Sequence, residues 1–148
     1  MREAYEDLTE LFVSHTPDGR LEGILVQQQV QGVELLMGIK RDMQFGPVLV
    51  LGMGGIYTEV FRDTASALLP VRRQDVEEML RSLRIYPVLL GTRGQPGVCR
   101  PALVETALAL GRLAAEHPEV AELDLNPVLA NAHGCWCVDC RIVVAQYF

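Results

Sequence analysis

This chain has no apolar run near the roughly 20 residues that a membrane-crossing helix needs. Its opening, Met1 to Asp7 (MREAYED), is too acidic for a secretory leader, so no membrane association is expected. Basic residues are also short: 13 Lys and Arg against 19 Asp and Glu give a net charge of −6 and leave no basic stripe for a phosphate backbone, which argues against nucleic acid as a partner. Cysteine is sparse and badly spread for a disulfide framework. Three of the four, Cys135, Cys137 and Cys140, are crowded together, and a domain of this size needs no cross-links, so reduced thiols and a cytoplasmic protein are expected. The three histidines fall in a polar turn (His15), at a helix end (His117) and at a hairpin tip (His133). Repeats and low-complexity tracts are absent. The GMGG at 52–55 is followed by neither a Gly-x-Gly-x-x-Gly nor a Gly-Lys-Ser/Thr, so it matches neither a dinucleotide fingerprint nor a phosphate loop.

What is present is a core. With 148 residues, 49% of them hydrophobic, the chain suits one globular domain spanning 1–148. Tyr5, Leu8, Leu11 and Phe12 recur at helical spacing and His15 to Gly19 closes that segment. Three apolar runs follow, Ile24 to Val30, Val33 to Ile39 and Pro47 to Leu51, and read as an antiparallel meander. Ile56 to Val71 is ambiguous. Val76, Met79, Leu80 and Leu83 share one helical face, with acids early and Arg81 and Arg84 late, as the helix dipole favours. A second helix begins at Pro101, carries Leu103, Val104, Ala107, Leu108, Gly111 and Leu113, and ends at His117-Pro118. A hairpin closes the chain. Helix, three strands, two helices, two strands is an α+β order.

The hairpin, AELDLNPVLANAHGCWCVDCRI, carries the chemistry. Alternation puts Glu122, Asp124 and Asn126 on one strand face and leaves Leu123, Leu125 and Val128 for the core. By the same rule Cys135, Cys137, Asp139 and Arg141 share a face of the returning strand, and opposed positions bring Asp139 beside Asp124 and Asn126. Two carboxylates held together against aliphatic strands repel, so one takes a proton or a cation enters. Carboxylate and amide oxygens suit a hard ion, Mg²⁺ above all, which completes its shell with water and phosphate. The plain alternative is that Asp-x-Asn-Pro only ends a strand, with Asn126 capping the bend and Asp139 solvated. A zinc site from Cys135, Cys137, Cys140 and His133 is disfavoured, because on a continuous strand Cys137 and Cys140 face opposite sides. Packed, unreactive cysteine is expected instead.

Three stretches, GILVQQQVQGVELLMGIKRDMQFGPVLVLGMGGIYTEVFRD, ALLPVRRQDVEEMLRSLRIYPVLLGTRG and the hairpin, resemble the ATP-grasp subunit or domain of NDP-forming acyl-CoA synthetases, a group that includes ADP-forming acetyl-CoA synthetase. The β subunit of succinyl-CoA synthetase is a more distant likeness. The likeness runs from about Gly23 to Ile142 and rests on RDMQFGPV, GMGG and ELDLNP with the later VD, in that order. It implies an ATP-grasp-like antiparallel sheet packed with helices, ATP or ADP with Mg²⁺ as ligands, and a reaction joining acid and CoA through an acyl phosphate and a phosphohistidine. Asn126 and Asp139 correspond to Mg²⁺ ligands; Asp124 corresponds to an acid near the metal and near the mobile phosphohistidine loop. Gln28, Gln29 and Val30 stand at the adenine-pairing hinge, Glu34 at a ribose-accepting position, and Gly54 and Gly55 at a glycine turn facing the incoming loop or phosphate. Arg41 meets phosphate or pairs with Asp42.

The sequence also departs from that family. No phosphate-covering glycine loop with its Lys, no CoA-binding domain and no phosphohistidine loop stands in it, so the expectation is a C-terminal lobe without the complete N-terminal lobe. Partner domains or subunits would supply CoA binding and the phosphohistidine. Ala67 stands where many relatives carry an Arg. A second reading is a non-catalytic ATP-grasp remnant that docks a partner subunit or forms a homodimer through exposed strand edges.

Overall fold

The computed structural model describes residues 1–55 and 58–145, apart from the side chains of Glu59 and Val60. Alternating side chains build its sheet. β1 (Val33–Asp42) buries Leu35, Met37 and Ile39, and β2 (Gly46–Met53) buries Leu49 and Leu51. β4 (Val120–Asn131) buries Leu123, Leu125, Val128 and Ala130. With β3 (Thr64–Leu68), β5 (Gly134–Cys137) and β6 (Cys140–Val144) they form one antiparallel sheet of order β3-β2-β1-β4-β5. β5 and β6 are successive halves of one returning strand, and both pair with β4.

Helices cover one face of this sheet. α3 (Arg73–Ser82) buries Val76, Met79 and Leu80, with Leu83 just beyond its end, which is the face the sequence spacing predicts. α5 (Arg100–Glu116) buries Leu103, Val104 and Ala107, then Leu110 and Ala114, while Leu108 and Leu113 pack at the margin. The short α4 (Tyr86–Leu90), not foreseen from the sequence, begins where the buried Asp63 accepts the Arg84 amide at 2.8 Å and the Ile85 amide at 2.9 Å. Those amides would otherwise be unpaired at a helix start. α1 (Arg2–His15) buries none of its residues, and α2 (Thr58–Phe61) is a single turn.

The expected first strand does not form. Ile24 to Val30 has no regular structure, and Leu25 and Val26 are 79% and 71% exposed. Its apolar run finds no partner because both edges of β1 are taken, one by β2 and the other by β4. β3, from the ambiguous region, supplies the third strand by pairing with β2.

A second correction concerns the hairpin. Leu35 pairs with Val128 but Met37 with Leu125, so Asn126 and Pro127 stand together against Leu36 alone. One surplus residue reverses which side chains face the core. The buried set accordingly passes from Leu123 and Leu125 to Val128 and Ala130. The returning strand reverses in step, since Cys137 pairs with Val128 and Cys140 with Leu125, leaving Val138 and Asp139 across from the surplus. Cys135, Cys137 and Arg141 therefore do not share a face. The two cysteines turn to the helix side, where Cys135 Sγ lies 3.2 Å from Thr106 Oγ1, and Arg141 stands beside Asp124 on the other.

Arg41 neither meets an open phosphate site nor pairs with Asp42. Its Nε donates to the Val120 carbonyl at 3.2 Å and its Nη2 to the Ala114 carbonyl at 3.0 Å, joining β1 to the carbonyl end of α5 and the start of β4. The cation also complements the negative end of the helix dipole. Arg41→Ala removes both bonds at a half-buried site and should lower unfolding free energy by about 2 kcal/mol in urea titrations. Arg81→Ala, on an exposed helix pair, should cost well under about 1 kcal/mol.

Candidate functional site

The sheet face away from α3 and α5 is where polar side chains collect. Leu36, Gly38 and Lys40 of β1, Val50 of β2 and Glu122, Asp124 and Asn126 of β4 line a cleft of about 480 Å³, closed at one end by Gly55 and Thr58. No described helix is long and apolar enough to cross a membrane.

The end wall depends on two glycines. The Gly54 amide donates to the Glu34 carbonyl at 3.0 Å, which presses the chain so tightly onto β1 that a Cβ on Gly54 would land on the Leu35 backbone carbonyl. Gly55 has φ +77, a conformation that L side chains rarely adopt, and a Cβ there would meet the Glu34 carboxylate. The Gly55 amide then donates to Asn126 Oδ1 at 3.0 Å, and Thr58 Oγ1 donates to the Gly55 carbonyl at 2.6 Å. One amide and one hydroxyl thus fix Asn126, Gly55 and Thr58 to one another. Asn126 Oδ1 keeps a second lone pair for another donor or an ion.

Of the residues expected from the sequence, Asp124, Asn126 and Gly55 line this cleft; Glu34 and Gly54 do not, though the Glu34 carboxylate lies against Gly55 and the Gly54 amide donates to the Glu34 carbonyl. Asp139 stands across from Asn126 in the hairpin register, with its Oδ1 accepting the Cys140 amide at 2.8 Å. Its charge reaches Asp124. Gln28, Gln29 and Val30 are not brought together with them: the two glutamines line a separate groove beside Tyr5 and Leu8 of α1, and the three residues form no strand end. Ala67 pairs with the buried Leu49 and packs against the helix side, so an Arg in its place would not reach this cleft. The sequence reading missed Thr58, Lys40 and the Glu122–Arg141 ion pair. The period-two spacing of Leu36, Gly38 and Lys40 was the available signal for Lys40.

Electrostatics set the character of the cleft. Burial pushes the Asp124 carboxyl above the ordinary carboxylate value of 3.8; Glu122 and Asp139 add to the rise and Arg141 opposes it. Burial likewise raises the Cys137 thiol, with Cys140 and Asp139 contributing. Among the described residues no three His, Cys, Asp or Glu side chains gather closely enough to hold a metal ion. Asp124, Asn126 and Asp139 nonetheless fit a hard divalent ion that takes further oxygens from water and phosphate. Their donors are all oxygen, and the strained acid, Asp124, is one that a cation would relieve.

An acid whose value is raised on folding adds stability below its unfolded value and forfeits it as pH climbs through the folded one. Asp124→Asn should therefore melt higher than the parent near pH 7, with the gap closing as the pH is lowered toward 3.8. Calorimetry in metal-free buffer across that range checks this; an unchanged or lower midpoint at pH 7 would show that Arg141 outweighs burial.

Residues 1–144 match the family described as the ATP-grasp domain. The chain is 38% identical over 99% of its length to acetate–CoA ligase (ADP-forming) I of Archaeoglobus fulgidus, and 35% identical over 97% to the β subunit of the Pyrococcus furiosus enzyme I. Among solved structures it superposes with a TM-score of 0.77 and 40% identity on a dinucleotide-forming acetyl-coenzyme A synthetase of Candidatus Korarchaeum cryptofilum, over 79% of this chain and 55% of that one. That structure holds coenzyme A and Mg-AMPPCP, with a phosphohistidine segment pointing towards its nucleotide-binding site. The chain spans 22% of the Archaeoglobus relative and 62% of the Pyrococcus one.

Proposed function

The chain belongs to the ATP-grasp domain family, and from that premise we propose that it forms the C-terminal, nucleotide-facing wall of an NDP-forming acyl-CoA synthetase. Such an enzyme interconverts acid, CoA and NTP with acyl-CoA, NDP and phosphate through an acyl phosphate and a phosphohistidine. The observation that carries this reading is the Gly55–Asn126 bond beside the raised Asp124, at the end of an open acidic cleft.

Within that reading, Asn126 and Asp139 would hold the Mg²⁺ that accompanies ATP or ADP, with Asp124 close by. The ion would supply charge neutralisation to a phosphoryl group in transfer. Asp124 contributes a negative charge that favours the imidazolium form of a histidine brought to the cleft by a partner domain or subunit that also binds CoA. Support for such a partner comes from the phosphohistidine segment and the coenzyme A of the Korarchaeum structure and from the subunit status of the Pyrococcus relative. Glu34 is assigned to the ribose hydroxyls. Gly54 and Gly55 keep the end wall free of side chains, so that phosphate or the incoming segment can approach the backbone. Gln28, Gln29 and Val30 would face adenine through backbone groups, which the exposure of that segment leaves open to pairing.

Isothermal titration with Mg-ADP tests the assignment, using the chain alone and extended to the length of the Pyrococcus subunit. Binding should be weak for the chain alone and clear for the extended protein, and Asn126→Ala or Asp139→Ala should weaken it roughly tenfold or more, as EDTA should in the parent. Full affinity in both variants would refute the metal ligands.

A second reading, a non-catalytic module for subunit interaction or self-association, draws on Ile142, Val143 and Val144, left partly exposed along β6. Sedimentation separates the two: such a module should associate to the same degree with and without Mg-ADP.

A further inference from the structure

Cys137 and Cys140 bracket Asp139 in the run Cys-Val-Asp-Cys. On a regular strand residues three apart face opposite ways. Here they do not, because the strand reverses its facing at Val138 and Asp139: Cys137 pairs with Val128, Cys140 with Leu125, and both partners are buried on the helix side. Both cysteines are free and exposed, beyond the cover that α5 gives to Cys135. They are also close. Cys137 Sγ donates to the Asp139 carbonyl oxygen at 3.2 Å, and that carbonyl carbon is bonded directly to the Cys140 nitrogen. A single peptide unit thus separates the Cys137 sulfur from its neighbour's backbone.

Bridging needs Cα atoms within about 4.4 to 6.8 Å, whereas three extended residues span roughly 10 Å. The Val138 amide still donates to Pro127, its in-register opposite, at 3.1 Å, but the link is already bent at Asp139, since Cys137 Sγ reaches the carbonyl two residues on and Asp139 Oδ1 folds back onto the Cys140 amide at 2.8 Å. Closing it further breaks the bond from Cys137 Sγ to the Asp139 carbonyl and arches the two residues between. Asp139 then leaves its place across from Asn126.

We propose that Cys137 and Cys140 form a dithiol that a small-molecule disulfide oxidises to an intrastrand disulfide, and that closure moves Asp139 from its place across from Asn126; the second half rests on the metal-site reading above. One protein thiol attacks the added disulfide, forming a mixed disulfide and releasing one small thiol. The other protein thiol attacks that mixed disulfide and releases the second small thiol. Two protein thiols are oxidised, one small disulfide is reduced to two thiols, and the protons pass to the released sulfurs. In a reducing compartment such a pair serves as a reversible sensor rather than a structural staple.

The test incubates the protein with oxidised glutathione, alkylates it after denaturation and maps its peptides by mass spectrometry. Two of the four thiols should be lost with no retained glutathione, a 137–140 linkage should appear, and dithiothreitol should restore all four. Cys137→Ser and Cys140→Ser should each retain a stable glutathione adduct, and the double variant should be inert at this strand. Four thiols after treatment, or glutathione held on both cysteines of the parent, would overturn the dithiol. For the second half, the disulfide form of the extended protein should bind Mg-ADP roughly tenfold more weakly than the reduced form, with no change in the double variant. Unchanged affinity on oxidation where Asp139→Ala does weaken binding overturns the coupling alone. Unchanged affinity in Asp139→Ala as well places the failure in the metal assignment.

Discussion

Asn126 and Pro127 stand as two residues against Leu36, and most of what distinguishes this molecule follows from that mismatch. Before it, β4 sends Leu123 and Leu125 into the core and offers Glu122 and Asp124 to the cleft; after it, Val128 and Ala130 take over the core. A strand without the surplus residue would turn Leu129 and the polar Asn131 toward the core beyond this point and put Val128 and Ala130 on the other face. The reversal also leaves the Asn126 amide oxygen within reach of Gly55, which ties the end of β2 to the middle of the hairpin. Fold and cleft therefore share one irregularity.

The cleft is assembled against its own electrostatics. Burial, Glu122 and Asp139 all raise the Asp124 carboxyl, and Arg141 opposes them. A protein selected for stability alone would place an amide or an apolar residue there. Under the proposed function, a cation or a cationic group received beside Asp124 would relieve that charge. Arg141 is itself held by Glu122, so it remains a partial counter-charge rather than a full partner.

The sequence carried the long elements well, for physical reasons that particular residues show. Val76, Met79 and Leu80 recur at the helical period and are buried; Leu35, Met37 and Ile39 recur at the strand period and are buried too. Composition failed where pairing decides: Ile24 to Val30 looks like a strand, but no free edge exists beside β1 for it to join. Alternation failed at Val138 and Asp139, because periodicity counts residues and cannot sense a bulge on the neighbouring strand. Arg41 was legible as a cation but not as the cap of a helix far along the chain. Within the cleft, the hairpin signalled Asp124 and Asn126 by spacing, whereas Thr58 had no motif to mark it and Glu34 entered only through family likeness.

α1 is 14 residues long and buries none of them. A helix of that length is marginal by its own propensity, since nucleation is costly and tertiary packing ordinarily makes up the difference. It is thus set apart from the cooperative unit formed by the sheet, α3 and α5. Its amides would exchange with solvent through local fraying at a small opening free energy, while those of β1, enclosed between two strands, would wait for the whole sheet to open.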